Sequence, residues 1–596
     1  MQVSYHHANP HSGRESVLLR FYDEIHDQTT CILIDSGNGV DVDELLGDDE
    51  YLSAILLTHA HLDHYRTLGS NLRDQATIYA TRETAAAIET RLQTNADHDD
   101  LDLSGDVRDA LEPIVDWTEI SPNVRIHPVP AGHAPGASGF VIQFDDGEDS
   151  YNLLASGDFT TRRAAGYPGL ATEIPIDAVF LTVASNAEFP DQLTGAVETI
   201  VQRAHAGSTV LATASGTTGV HLAYLLDSLS QTTDRSIPVT VAGRVATVWD
   251  TLEYDRSTVE AVSVFDDPAD VLQPGSVTIA GPEVPIAGSS KRLFEAMRDD
   301  GGATLIQVTS GAFDEIDSAS CTVHEYELSN HPDEATIDAV VEEYEPIHVV
   351  VTHAQGRAAR KYKDRYNSFV WAPNDDDQYT LYDEGWEGPP WVNDATHRRV
   401  MSRQYTQTDA MGQVMGSIDV GLPTVERLED VDLEAEGLDT DRLDDALHRD
   451  VDGSAPAPEG DPADESAQTV SSSPGDAEEA SQTDVVAADG STAVDREESQ
   501  EPTQDQSASL PSSIEEAADA IDAEAYGDIL ERLDRIEAAV TGTTTTATVV
   551  DAGDGVMLLR LTDDSIAEDL EHGQTIEIAV QTDDEPAIRE EDETEP

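Results

Sequence analysis

Thr58-His59-Ala60-His61-Leu62-Asp63-His64, entered from the apolar run Ala54-Ile55-Leu56-Leu57, constrains this chain more than any other stretch. It packs three imidazoles and a carboxylate into one strand-to-helix turn. Spaced His-x-His-x-Asp-His, the four groups cannot all face one ion, but two ions can share them. Zinc suits the set because it accepts imidazole nitrogen and carboxylate oxygen without demanding a fixed geometry. Two ions roughly 3.5–4 Å apart hold a water between them, bring its pKa near neutrality and stabilise the oxygens of a phosphoryl or carbonyl group under attack. The residue types therefore predict metal-assisted hydrolysis with two Zn2+, Mn2+ being the alternative.

The remaining ligands are expected downstream. Strand-like Val124–Val129 leads into Pro130-Ala131-Gly132-His133-Ala134-Pro135-Gly136-Ala137, whose glycines let the backbone turn sharply beside an ion. His133 is the natural third ligand for the ion held by His59 and His61. Tyr151–Phe159 reads as an apolar strand ending on Asp158, a carboxylate placed to bridge two cations. Asp35 closes an earlier apolar strand, Cys31–Ile34, and reads as an acceptor that orients a ligand histidine from behind.

In order and spacing, Asp35, His59-x-His61-x-Asp63-His64, Ala131-Gly132-His133 and Ser156-Gly157-Asp158 resemble the successive motifs of the metallo-β-lactamase fold. The resemblance implies an α/β architecture, a four-layer αββα sandwich with the metals at one edge. Alternating short strands and helical stretches such as Thr81–Leu92 agree with that class. Residues 1–195 would form the first part of this domain and 346–400 the segment that completes it. Between them, 196–345 holds strand-like Ser208–Thr213, Ile237–Gly243, Ser276–Gly281 and Thr304–Gly311, which read as a second α/β domain. An insertion of that kind resembles the β-CASP cap of nucleases, as in archaeal cleavage-and-polyadenylation-factor-like and ribonuclease-J-like mRNA 3′-end processing proteins.

Two further histidines extend the resemblance. Leu328-Ser329-Asn330-His331-Pro332-Asp333 looks like the family's Ser-x-His-x-Asp motif, whose histidine contacts the scissile phosphate and assists the leaving oxygen. Pro346–His353 looks like the returning strand that presents a last zinc ligand, and histidine there points to RNA as substrate. The implied assignment puts His59, His61 and His133 on one ion and Asp63, His64 and His353 on the other, with Asp158 bridging and Asp63, Asp158 and His331 as catalytic groups. The chain also departs from the family. No acid stands between Asp177 and Asn186 to support His331, and Glu188 comes several residues late. An arginine common at the next helix start is absent, leaving Ser215, Thr217 and Thr218, with Ser289, as the expected substrate contacts.

With 119 acidic against 33 basic residues, the formal net charge is −86. Self-repulsion on that scale strains a compact enzyme in dilute buffer, but the Debye length falls to ~3 Å in molar salt. The composition resembles that of salt-in, extremely halophilic proteomes. Counterion release contributes little there, so RNA recognition would rest on metal–phosphate contacts, stacking and cleft shape. The one dense basic run holds Arg357, Arg360 and Lys361, the expected RNA-backbone contacts. Two other readings stay open: a non-cutting subunit that binds RNA or a processing partner, and a small-molecule hydrolase using the same dinuclear site.

Only Cys31 and Cys321 occur, which excludes a disulfide framework. No signal peptide or long apolar run appears, so the expectation is a cytoplasmic protein with no membrane association. Past an uncertain extension at 401–427, residues 428–510 have the composition of a disordered acidic linker. An amphipathic helix at 513–541, short strands within 543–583 and an acidic tail at 584–596 complete the chain. The helix and β module fit homodimer formation or docking into a processing complex.

Overall fold

The computed structural model describes residues 1–93, 105–232, 236–255, 258–311, 316, 319–363, 365–372, 375–393, 395–402, 423–449, 547–551 and 557–561. They fall into two units, Met1–Ala463 and Asp464–Pro596.

Two seven-stranded sheets form the base of the first unit. One runs in the order Tyr379–Asp383, Gln2–His7, Val17–Asp23, Gln28–Ile34, Leu52–Leu56, Thr77–Ala80 and Leu111–Pro113. The other runs Phe369–Trp371, His348–Thr352, Ala178–Thr182, Ser150–Ala155, Ser138–Asp145, Val124–Pro130 and Thr118–Ser121. Side chains alternate between faces along each strand. Tyr5, Leu19 and Ile32 thus meet Phe140, Ile142 and Phe180 in the core between the sheets. Their neighbours Leu18, Leu33 and Ile55 point the other way, onto Val42, Leu68 and Ile88 of the covering helices. Helix Glu334–Tyr344 covers the outer face of the second sheet through Ile337, Val340 and Val341. The layers are α, β, β, α, and strands buried on both faces read as nearly continuous apolar runs.

A third sheet has six strands, all parallel, in the order Val259–Val262, Val239–Ala242, Val277–Ala280, Thr209–Thr213, Ala303–Thr309 and Thr322–Glu327. Helices Phe189–His205 and Gly216–Thr232 contribute to the core on one face, and Gly288–Met297 packs the other. The insertion is displaced from the expected 196–345. Pro190 starts the helix Phe189–His205 in its first turn, and Phe189 and Leu193 already belong to the inserted core. At the other end the chain has returned by Glu334, because the helix that follows packs on the second sheet.

The expected disorder from residue 428 also needs correction, since residues 423–449 form an ordered strap. Leu433, Leu438 and Leu443 enter the inserted core, and helix Thr440–Arg449 follows. Glu436, fully buried, accepts from the amides of Ala165 (2.8 Å) and Gly166 (2.7 Å) and from His221 Nε2 (2.8 Å). Three leucines and one well-satisfied acid anchor a segment whose average composition reads as unfoldable. The rest of the linker (450–510), the amphipathic helix (513–541), most of the 401–427 extension and the tail (584–596) lie outside the described residues. Within 543–583 the described part is an antiparallel hairpin, Ala547–Asp551 with Met557–Leu561. Among the described residues no helix is long and apolar enough to cross a membrane, and both cysteines are free and buried.

His348 carries a pH prediction. It is fully buried in the strand His348–Thr352, and its Nδ1 accepts the indole N–H of Trp371 at 2.9 Å. Burial pushes its pKa down to about 3. Below pH ~6.5 the unfolded chain takes up a proton that the native imidazole refuses, so this group's contribution to stability is lost as pH falls from there toward 3. His348→Leu should cost a pH-independent ~1–3 kcal/mol for the orphaned indole. It should also remove up to ~1.4 kcal/mol per pH unit of acid sensitivity between pH 6 and 4. Denaturant melts of both proteins across that range measure the difference in slope.

Candidate metal centre

The site is built at the ends of buried strands. Asp35 follows Gln28–Ile34 with φ +55°. It accepts from the Thr58 amide (2.8 Å), the Thr58 hydroxyl (2.8 Å) and His64 Nδ1 (2.7 Å). A carboxylate only accepts, so a His64 proton sits on Nδ1 and Nε2 is the atom left to meet an ion. That Nε2 is buried without a hydrogen bond and lies 3.3 Å from Asp158 Oδ2 and 3.8 Å from Asp63 Oδ2. Gly157, at φ +55°, lets the chain turn under the cluster before Asp158, and a Cβ there would come within 2.7 Å of Thr58.

Three further imidazoles converge beside it. His61 Nδ1 lies 3.1 Å from His59 Nε2 and 3.0 Å from His133 Nε2. His133 Nδ1 donates to the Asn330 carbonyl at 2.8 Å, leaving Nε2 bare. The Thr58 hydroxyl, already donating to Asp35, accepts from His59 Nδ1 at 3.0 Å, which leaves that Nε2 bare too. Bare imidazole nitrogens this close repel one another unless a cation lies between them, so the donor set fits a metal ion.

The charges agree. Burial and then the neighbouring imidazoles of His64, His61 and His133 hold His59 well below the ordinary histidine value. Burial and His61 do the same to His133. Burial pushes His64 down as well, but the Asp158, Asp35 and Asp63 carboxylates outweigh it and hold His64 well above the ordinary value. Asp158, 2% exposed, is pushed up by burial and pulled further down by His353, His64 and His331, ending well below the carboxylate range.

The groups whose atoms lie close enough to share an ion are His59–His61–His133, His59–His64–Asp158 and His133–Asp158–His331. His331 therefore stands nearer the ligands than its expected role required, with Nε2 3.9 Å from Asp158. His353 arrives at φ +58° with Nδ1 3.1 Å from Asp158 Oδ1, but falls outside those three groups. Asp63 is half-exposed at the mouth. Thr217 Oγ1 lies 3.2 Å from His61 Nε2, and Ser215 Oγ accepts from the Thr218 amide and donates to its hydroxyl. Ser289 packs against Gly243, and no contact joins it to the histidines among the described residues. The basic run splits. Lys361 is paired with Glu334 at 2.6 Å, and Arg365 with Glu334 and Asp338, whereas Arg357 and Arg360 are exposed and without an ion pair among the described residues.

Two residues at the site were not assigned roles from sequence. Asn330 donates to the carbonyls of Gly132 (3.2 Å) and His133 (2.9 Å) while its own carbonyl holds the His133 ring. Arg162 donates to Asn330 Oδ1 (2.9 Å) and the His331 carbonyl (2.7 Å), and burial lowers its pKa to about 10. Where an acid was sought for His331, Asn186 instead donates to the Ser329 carbonyl at 2.9 Å. Adjacency of Asn330 to His331 was the one available signal; nothing in sequence marks Arg162 out from Arg163.

Asp35 gives a direct test of this support. Asp35→Asn should weaken metal affinity by about 10–100-fold, because a side-chain amide need no longer hold the His64 proton on Nδ1. Competition with a chromogenic chelator measures it.

Residues 30–166, which contain most of this cluster, match the family model of the Beta-lactamase superfamily domain. A crystal structure of a protein of unknown function from Enterococcus faecalis V583 is 14% identical, with a TM-score of 0.45, and the match covers 64% of this chain and 99% of that one. The Rm3 metallo-beta-lactamase is 16% identical, with a TM-score of 0.20 over 28% of this chain and 74% of its own. No curated protein matches the chain.

Proposed function

We propose that this chain is a zinc-dependent ribonuclease of the β-CASP type that hydrolyses RNA phosphodiesters in RNA processing or decay, with manganese as the alternative ion. One observation carries the reading: the parallel sheet turns its C-terminal edge onto the histidine cluster. Thr217, after strand Thr209–Thr213, reaches His61, and Asn330, after strand Thr322–Glu327, holds His133. Open parallel sheets receive ligands at that edge, and a cleft between two such layers suits a polymer.

In this reading His59, His61 and His133 would hold one ion, and Asp63, His64 and His353, together with Asp158, would hold a second. When bound, the ions supply Lewis-acid activation of water and of a phosphoryl oxygen. Helix Gly216–Thr232 begins beside the cluster, with Thr217 Oγ1 3.2 Å from His61 Nε2, and in this reading its N-terminus with Ser215, Thr217 and Thr218 holds a phosphate. His331 stands beside Asp158 to assist the leaving oxygen, its carbonyl fixed by Arg162. The non-cutting reading is favoured by a specific observation as well: His331 Nδ1 is buried without a hydrogen bond, and burial outweighs the Asp158 carboxylate and lowers the ring's pKa, which disfavours a general acid. We assign the protein to the cytoplasm and the C-terminal hairpin region to self-association or docking.

RNA labelled separately at each end, incubated with zinc in molar KCl, tests the proposal. Zinc-dependent products from the wild type and none from Asp63→Ala/His64→Ala are expected, with the label pattern giving direction. Intact RNA despite stoichiometric bound zinc would transfer the assignment to the non-cutting subunit or the small-molecule hydrolase.

A further inference from the structure

Away from the metal centre, at the edge strand Phe369–Trp371, a cleft partly open to solvent is lined by Lys363, Tyr366, Val370, Trp391, Thr396 and Arg399 among others. Its composition is unlike the rest of the surface. In a chain with 119 acids and only 33 lysines and arginines, this lining has, among the described residues, a lysine and an arginine and no carboxylate. Lys363 is one of just three lysines in the chain, and neither it nor Arg399 makes an ion pair among the described residues, unlike nearby Lys361 and Arg365. The aromatic walls are held in place. Trp391 packs edge-on against Trp371 and Tyr379, at 5.6 and 5.7 Å between ring centroids. Tyr366 stacks on buried Tyr362 and donates its hydroxyl to Asp338 at 2.8 Å.

We propose that this cleft binds a nucleotide unit, its base against Trp391 and Tyr366 and its phosphate between Lys363 and Arg399. Two fixed aromatics with two uncommitted cations suit a ligand that is flat and apolar at one end and anionic at the other. Stacking keeps its strength in high salt, where the charge contacts are screened. The strand Phe369–Trp371 pairs in parallel with His348–Thr352, and Phe369 lies opposite His348. His353 lies five residues further on, roughly 15 Å at strand rise, so the cleft is separate from the metal centre yet within reach of one RNA strand. As an RNA-tethering subsite it rests on the ribonuclease reading; as a nucleotide site it stands alone.

The probes are 5′-AMP, adenosine and inorganic phosphate, titrated calorimetrically into the full-length protein in molar KCl. AMP should bind the wild type. Lys363→Glu/Arg399→Glu should weaken AMP about tenfold or more and leave adenosine unchanged, while Trp391→Ala should weaken both. Lys363 and Arg399 are exposed, so the double variant should keep its circular dichroism and melting point. No AMP binding, or affinities within twofold across wild type and variants, overturns the proposal. Cleavage of end-labelled RNA by the wild type is scored separately. RNA cut but AMP insensitive to the variants removes the cleft alone, and AMP binding lost in the variants with RNA left uncut removes the ribonuclease reading alone.

Discussion

If the proposed function holds, Asp158→Asn should lower turnover by at least about 10²–10³-fold and cost the protein one of the two metal ions that reading assigns to it. No other side chain touches so much of the centre. Its Oδ1 lies 3.1 Å from His353 Nδ1, and its Oδ2 lies 3.3 Å from His64 Nε2 and 3.9 Å from both His133 Nε2 and His331 Nε2. An amide keeps the shape but loses the anion and replaces one oxygen with a donor, which faces imidazole nitrogens or a cation with the wrong polarity. In the metal-free protein the carboxylate also contributes to stability. Its native pKa is depressed, so that contribution is present above pH ~4 and disappears as pH falls through the lowered value. Elemental analysis of the dialysed protein counts the ions, and single-turnover cleavage gives the rate. Full metal content with unchanged rate would show that Asp158 bridges nothing.

Glu436→Ala should destabilise the first unit by about 3–5 kcal/mol, as expected when one partner of a buried charged network is deleted. Two amide donors, at Ala165 and Gly166, and the His221 ring would be left buried without an acceptor. The melting temperature should fall on the order of 10 °C. Glu436→Gln keeps one acceptor oxygen and should cost less. Because the loop that Glu436 caps follows Asp158 and carries Arg162, metal affinity should fall along with stability. Loss of stability at full metal affinity would mean that the strap steadies the insertion without reaching the centre.

The two halves of this picture were unequally legible in the sequence. That His59, His61, His64, His133 and Asp158 gather in one place could be expected because they lie just beyond buried apolar strands or follow a glycine, and local patterning records both. His353 could be placed by its strand, but not the ring orientation that turns Nδ1 to Asp158. The strap was hidden because composition averages over a window. Residues 428–444 are rich in exposed acids, and the few that matter, Leu433, Glu436, Leu438 and Leu443, are spaced irregularly. Nothing local says that Glu436 will meet two amides distant in sequence. The pairing within the basic run was hidden for the same reason: the carboxylates that neutralise Lys361 and Arg365 sit on a helix preceding the strand His348–Thr352.

The strap also orders events in time. During synthesis the strands that carry the histidines and Asp158 leave the ribosome early, and domains begin to fold as they emerge. The loop after Asp158 still lacks its buried acceptor until Glu436 has been translated far downstream. A nascent chain thus gathers its histidines and Asp158 well before it can lock them, and the cluster stays unfinished while the growing polypeptide is still on the ribosome.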